Sequence, residues 1–124
     1  MIMKALILFA HGARDPAWAE PFEQLRLAVK LRLPETPVEL AYLEFMQPDL
    51  LSAAERLVEA GADQIDIVPA FMAQGNHLKR DLPELVKTAQ ARHPSAAFTL
   101  RAALGESPAV REAMAEQIAI EAGA

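Results

Sequence analysis

The sequence predicts a three-layer α/β domain, with a four-stranded parallel sheet and helices on both faces. Three observations carry that prediction. Four apolar, strand-like runs alternate with four helical patterns along the 124 residues. The first run, Ala5-Leu6-Ile7-Leu8-Phe9-Ala10, is apolar throughout, as expected of a strand covered on both faces. The connections are short, so consecutive strands are joined through helical crossovers and lie parallel.

Each element has its own signal. The opening of the chain, one lysine and then an apolar run, mimics a signal peptide. No small-residue cleavage site follows, however, and the run stops at His11-Gly12, so it reads as a buried first strand. Asp15 caps the helix that follows and Pro16 suits its first turn. Trp18, Phe22, Leu25 and Val29 recur at helical spacing, and Pro34 and Pro37 end the element. The second strand runs from Val38 to Leu43 and closes at Glu44-Phe45-Met46. Pro48 opens a helix carrying Leu50, Leu51, Ala54, Leu57 and Val58, with Gly61 suited to its C-terminal end.

The third strand is Ile65 to Ala70, where Pro69 argues for the strand's end or for an edge position. A loop from Phe71 to Asn76 leads to a helix expected to begin at Asp81-Leu82-Pro83-Glu84, a capping-box pattern with proline in the first turn. Arg92-His93-Pro94 reads as its end. The fourth strand spans Ala97 to Ala103 and Gly105 turns the chain. Ser107 caps the last helix and Pro108 starts it, with Val110, Met114 and Ile118 as the apolar stripe. Residues 121–124 are expected to fray. With right-handed crossovers the arrangement is flavodoxin-like, a single domain over residues 1–124. Ligands of such sheets bind beyond the carboxyl ends of the strands.

Composition excludes several classes. Seventeen acidic against twelve basic residues give a net charge of -5, which argues against a nucleic-acid binder. A polyanionic small molecule must then be held by local basic groups. No stretch approaches the roughly 18 apolar residues of a membrane span. The chain has no cysteine, which rules out disulfides, zinc–thiolate sites and iron–sulfur clusters and fits a cytoplasmic location.

The polar residues at strand ends are the candidates for chemistry. His11 directly follows the first strand, Glu44 the second, and His77 lies seven residues beyond Ala70. In a parallel sheet all three can converge on one crevice. Two imidazoles and a carboxylate suit borderline divalent ions such as iron, cobalt, nickel or zinc, and imidazoles can also relay protons near neutral pH. Gly12 and Gly75 flank the histidines and permit a tight backbone. Met46, Phe71 and Met72 can wall a flat ligand or belong to the core. Asp15 reads first as a cap. Asp81 can orient His77 four residues earlier, although capping explains it equally well. Glu44 alone can simply favour the positive end of a helix.

At these residues the chain resembles the small sirohydrochlorin chelatases, the short CbiX-type members of the class II chelatase family, related to SirB-type ferrochelatases. The matching segments are Leu8-Phe9-Ala10-His11-Gly12-Ala13-Arg14-Asp15-Pro16, Ala41-Tyr42-Leu43-Glu44-Phe45-Met46-Gln47-Pro48, Ile67-Val68-Pro69-Ala70-Phe71 and Gly75-Asn76-His77-Leu78-Lys79-Arg80-Asp81-Leu82-Pro83. The resemblance implies a chelatase-like fold and ATP-independent insertion of a divalent metal (Co²⁺, Fe²⁺ or Ni²⁺) into sirohydrochlorin. The ion would be substrate, with no permanently bound cofactor.

On this resemblance His11 and His77 correspond to the metal-binding and proton-accepting histidines, and Glu44 to the nearby carboxylate. Arg14, Lys79 and Arg80 are candidates to answer the substrate's carboxylates, and Gly75, Met46, Phe71 and Met72 to line its site. Two departures stand out. Ala13 replaces a frequent serine, and Gly105-Glu106-Ser107-Pro108 lacks a histidine expected near the fourth strand's end. A single copy of the domain at this length implies a homodimer. Two other classes share these residues. A non-catalytic metal or tetrapyrrole carrier could use the same histidines. A histidine phosphatase would share His11-Gly12-x-Arg14 but would need arginine where Ala10 stands.

Overall fold

The computed structural model describes residues 2–123. Four strands, β1 (Lys4–Ala10), β2 (Val38–Tyr42), β3 (Gln64–Pro69) and β4 (Ala97–Leu100), form one all-parallel sheet in the order β2-β1-β3-β4. The helices are α1 (Glu20–Arg32), α2 (Leu50–Glu59), α3 (Asn76–Arg92) and α4 (Pro108–Glu121), with short 3-10 turns at Pro16–Ala19 and Leu104–Glu106. The flavodoxin-like expectation holds.

Side-chain alternation divides the sheet between two cores. Ala5, Ile7, Phe9, Ile65 and Ile67 pack with Leu50, Ala54 and Leu57 of α2 and Leu78, Leu82 and Ala89 of α3. On the other face Leu6, Leu8, Val38, Leu40 and Tyr42 pack with Trp18, Phe22, Leu25 and Val29. The first strand is buried from Ala5 to Ala10, as its unbroken apolar run predicts.

Several boundaries differ from the sequence reading, each for a local reason. Asp15 does cap, accepting from the Ala17 N–H, but it caps a 3-10 turn. The α-helix proper starts at Glu20, where Pro21 occupies its first turn. Proline fits there because its missing N–H would have had no helical partner. The third helix begins at Asn76, capped by Gly75, and Pro83 lies inside it. Burial of Leu78 together with Leu82, one turn apart, outweighs the capping-box pattern at Asp81. Pro83 accordingly leaves the Lys79 carbonyl without its helical donor.

Pro69 is the last residue of β3, and because β3 lies between β1 and β4 the edge alternative is excluded. The fourth strand is shorter than expected and ends at Leu100. The last helix runs to Glu121, and Gly123 adopts a left-handed φ of 89° just beyond it; Ala124 lies outside the described residues. At the end of α2, Gly61 takes φ 104°, while the Ala62 and Gly61 N–H groups bond the Leu57 and Val58 carbonyls. This pair of bonds is the Schellman arrangement that glycine there favours.

The start of α2 gives a stability prediction. Its cap is Asp49 rather than Pro48; the carboxylate accepts from the Ser52 N–H at 2.8 Å. Bonds from the Ser52 backbone and hydroxyl, with Arg92 nearby, hold the Asp49 carboxyl below its ordinary value. A depressed carboxyl stabilises the fold fully above the unfolded value of about 3.9 and loses that contribution as pH falls through the lower, folded value. Asp49→Ala is expected to cost about 1 kcal/mol at neutral pH. Thermal melts should show a drop of about 3–5 °C, shrinking towards zero in acid; an equal drop at all pH values would contradict the cap.

Candidate active site

The carboxyl edge of the sheet gathers the three segments singled out in the sequence. β1 and β2 stay paired beyond their formal ends: the Leu43 N–H bonds the Ala10 carbonyl at 2.9 Å, and the Glu44 N–H bonds the His11 carbonyl at 3.1 Å. Gly12 makes this approach possible. It takes φ 88°, and a Cβ there would stand 1.9 Å from the Glu44 carbonyl oxygen. Glycine is thus required at this position on two counts.

His11 is exposed, with its ring 5.3 Å from that of Phe71 at a tilt of 50°. Phe71 is half-buried against the α2–α3 core, so it supplies a fixed wall for the imidazole. The turn after Phe71 is held from below: the Gly105 N–H bonds the Phe71 carbonyl at 3.0 Å, and a Cβ on Gly105 would stand 2.0 Å from the Met72 carbonyl oxygen. Where the sequence suggested only a chain turn lacking a histidine, the fold places a backbone support for the site loop.

Glu44 is exposed, and the side chain that caps the following helix is that of Asp49. Next to it Phe45 adopts φ 67° and is 57% exposed. The Arg14 guanidinium lies over its ring, 5.0 Å from the centroid, an attraction between cation and ring face. Sequence reasoning passed over Phe45; its signal was an aromatic directly beside a candidate carboxylate. The exposed apolar surface at this edge consists of Phe45, Met72 and Leu43. Met46 turns towards the α1-side core.

His77 sits in the first turn of α3 and is exposed. Arg80, one turn on, approaches its Nδ1 at 3.1 Å. A guanidinium can only donate, so this contact is a hydrogen bond only in the tautomer that leaves Nδ1 as acceptor and carries the proton on Nε2. Asp81 lies 3.7 Å from Arg80 rather than bonding His77, so its orienting effect would pass through the arginine. Lys79 is exposed. Gly75 has φ -72° and open space where a Cβ would go, so unlike Gly12 it is not demanded by the backbone.

An apolar groove of about 330 Å³, lined by Leu43, Leu51, Leu78 and Leu85 with Asp49 and Asp81 at its rim, opens beside the site between α2 and α3. Among the described residues no three His, Asp or Glu side chains stand close enough together to hold an ion. His11, Glu44 and His77 thus share one edge without forming a closed cage in a single chain.

The CbiX family model matches residues 5–121. A sirohydrochlorin cobaltochelatase of Methanocaldococcus jannaschii is 37% identical over 91 residues, covering 73% of this chain and 64% of that protein. The chain spans less than two thirds of the length of the first curated relatives it matches. Among solved structures, the CbiX protein of Marinobacter aquaeolei VT8 superposes with a TM-score of 0.86 at 29% identity, covering 97% of this chain and 98% of that one. The sirohydrochlorin chelatase SirB of Bacillus subtilis subspecies spizizenii, in complex with cobalt, superposes at 0.71 with 26% identity over 86% of this chain and 45% of that one. A family match over nearly the whole sheet-and-helix pattern, with His11, Glu44 and His77 at its carboxyl edge, means that this chain belongs to the CbiX family.

Proposed function

We propose that this chain inserts a divalent metal (cobalt, ferrous iron or nickel) into sirohydrochlorin without ATP, as one chelatase domain over residues 1–124. The observation that carries the reading is a pair of accessible imidazoles at the carboxyl edge of the sheet, His11 with its ring against Phe71 and His77 in the first turn of α3. Relatives named for cobalt insertion into sirohydrochlorin support the choice of substrate. The ion is substrate, and the reading invokes no resident cofactor. It places the enzyme in the cytoplasm, serving cobalamin or sirohaem synthesis, and as a homodimer. Among the described residues no helix is long and apolar enough to cross a membrane.

The chemistry needs three things. Water must be stripped from the ion, the pyrrole N–H protons must be removed, and the macrocycle must be held against the reacting groups. Neutral imidazoles can both hold a borderline ion and accept protons. Phe45 and Met72 offer apolar surface for the face of the macrocycle. Arg14, Lys79 and Arg80 offer charge to its carboxylates. Arg80 has a second consequence. While it donates to Nδ1, His77 presents only an N–H at Nε2 and no free lone pair. A substrate carboxylate that draws the guanidinium away frees Nδ1 to take a proton or the metal.

The test follows the visible absorbance of sirohydrochlorin with Co²⁺, Fe²⁺ or Ni²⁺. Insertion at about 100-fold or more above the buffer rate is expected, within the range of positioned acid–base catalysis. A chain that binds the pigment without accelerating insertion would be a carrier instead, and the enzyme reading would be wrong.

A further inference from the structure

The two imidazoles of the site are held in different ways. Arg80 meets His77 at Nδ1 from one turn along the same helix. Among the described residues the His11 imidazole has no hydrogen-bond partner, and its ring neighbour is Phe71, 5.3 Å away between centroids. That separation lies within the range of about 4.5–7 Å found in favourable aromatic pairs. An exposed histidine beyond a strand end has two side-chain torsions to settle, so its direction depends on the wall beside it. Direction matters here, because a base has to come within hydrogen-bond reach of the proton that it takes.

Phe71 is itself fixed from two strands. Just before it, the Ala70 N–H bonds the Phe9 carbonyl at 2.7 Å and ties the chain to β1. Its own carbonyl accepts from the Gly105 N–H at 3.0 Å, which ties it to the turn after β4. Its side chain packs on the α2–α3 core. Gly105 is what lets the β4 exit come so near. It is buried, and a Cβ there would stand 2.0 Å from the carbonyl oxygen and 2.2 Å from the Cα of Met72. Both are main-chain atoms, with no side chain to turn aside. An added methyl group must therefore push the site loop away until the gap passes 3.0 Å, and the bond to the Phe71 carbonyl goes with it.

We infer that Gly105 and Phe71 are positioning residues for His11: the bare backbone of the glycine seats Phe71, and the Phe71 ring sets the direction of the imidazole. The inference deepens the reading above, and rests on it for the consequence on metal insertion. Phe71 is thus reassigned from lining the macrocycle to holding the histidine, while Phe45, Met72 and Leu43 supply the exposed apolar surface of this edge. The β4 exit contributes a backbone contact where the resemblance led to the expectation of a histidine. His11 is then bracketed by two glycine closures. Gly12 admits Glu44 to its carbonyl, and Gly105 seats the ring beside its imidazole.

The test reads the imidazole directly. The chain has three histidines, and His93 has an aromatic neighbour of its own in Phe98, 6.3 Å away, which serves as an internal control. Proton–carbon spectra of histidine-labelled full-length protein are recorded without pigment or metal, at a pH where all three rings are neutral. Signals are assigned with single His→Gln variants. Phe71→Leu, which keeps apolar bulk against the core, and Gly105→Ala should both displace the His11 ring signals and leave those of His93 in place. Phe71→Tyr should restore them, and Glu106→Ala, exposed in the same turn, should change nothing. In insertion assays Phe71→Leu and Gly105→Ala should lower kcat by about 10- to 100-fold, with the KM for pigment held within about twofold, the pattern of a misplaced reacting group. Should Gly105→Ala fail to fold, Phe71→Leu carries the test alone. Unmoved His11 signals in Phe71→Leu overturn the inference. So does a raised KM at unchanged kcat, which would make Phe71 a macrocycle contact, or an equal loss in Glu106→Ala. A wild type without insertion activity would sink the chelatase reading, while the spectra still decide whether Gly105 and Phe71 hold His11.

Discussion

Replacing His11 with alanine is expected to lower metal insertion into sirohydrochlorin by about 100- to 10,000-fold, the range associated with loss of a positioned acid–base group. The expectation rests on where the residue stands. Its carbonyl is tied to the Glu44 N–H and its ring lies against Phe71. Little folding energy depends on the exposed imidazole, so the melting temperature should stay within a few degrees of the wild type. A stable protein with lost turnover separates chemistry from fold. His77→Ala should also lower insertion, but it frees Arg80, which then remains available to a substrate carboxylate. Pigment affinity is therefore expected to hold in His77→Ala while the insertion rate falls. Single-turnover absorbance traces together with pigment titrations distinguish the two effects. Full activity in both variants would remove these histidines from the mechanism.

The difference between His11 and His77 also shows which parts of the site were legible in the sequence. His11 could be placed because an unbroken apolar run, of the kind found in strands covered on both faces, ends directly before it. His77 could be assigned to the same edge but not to a partner. Its contact with Arg80 is a one-turn pair, which exists only because α3 starts at Asn76. Local capping chemistry at Asp81 pointed to a later start, and the buried pair Leu78 and Leu82 overrode it. Tertiary burial commonly outweighs a local signal in this way. Phe45 was missed for a related reason. Its left-handed backbone lies in a turn brought against Gly12 by the pairing of two strand exits distant in sequence. The bareness of α4 was equally hidden. Its stripe of Val110, Met114 and Ile118 reads like that of any core-facing helix, yet no residue of α4 is buried.

The strongest demand of the backbone falls on one glycine, and it yields the second large prediction. Gly12→Ala adds a Cβ at a position where φ is 88° and the Glu44 carbonyl oxygen would stand 1.9 Å away. The left-handed conformation alone costs about 1–2 kcal/mol for a residue with a Cβ. Relieving the clash means separating the two strand exits, which breaks the bond from the Glu44 N–H to the His11 carbonyl, worth about 1 kcal/mol. A total loss of about 2–3 kcal/mol is expected, large for a single added methyl group. The displaced turn carries Phe45 and, stacked on it, Arg14. Insertion should thus fall further than the unfolded fraction accounts for, even at temperatures where the variant stays folded. Gly75→Ala is the matched control. Its φ is -72° and nothing lies within 4 Å of the added carbon, so its cost should stay within about 0.5 kcal/mol. Denaturant melts of both variants, with insertion measured on the folded protein, decide the matter. Equal stability of Gly12→Ala and Gly75→Ala would mean that the closure of the two strand exits over Gly12 does not position this site.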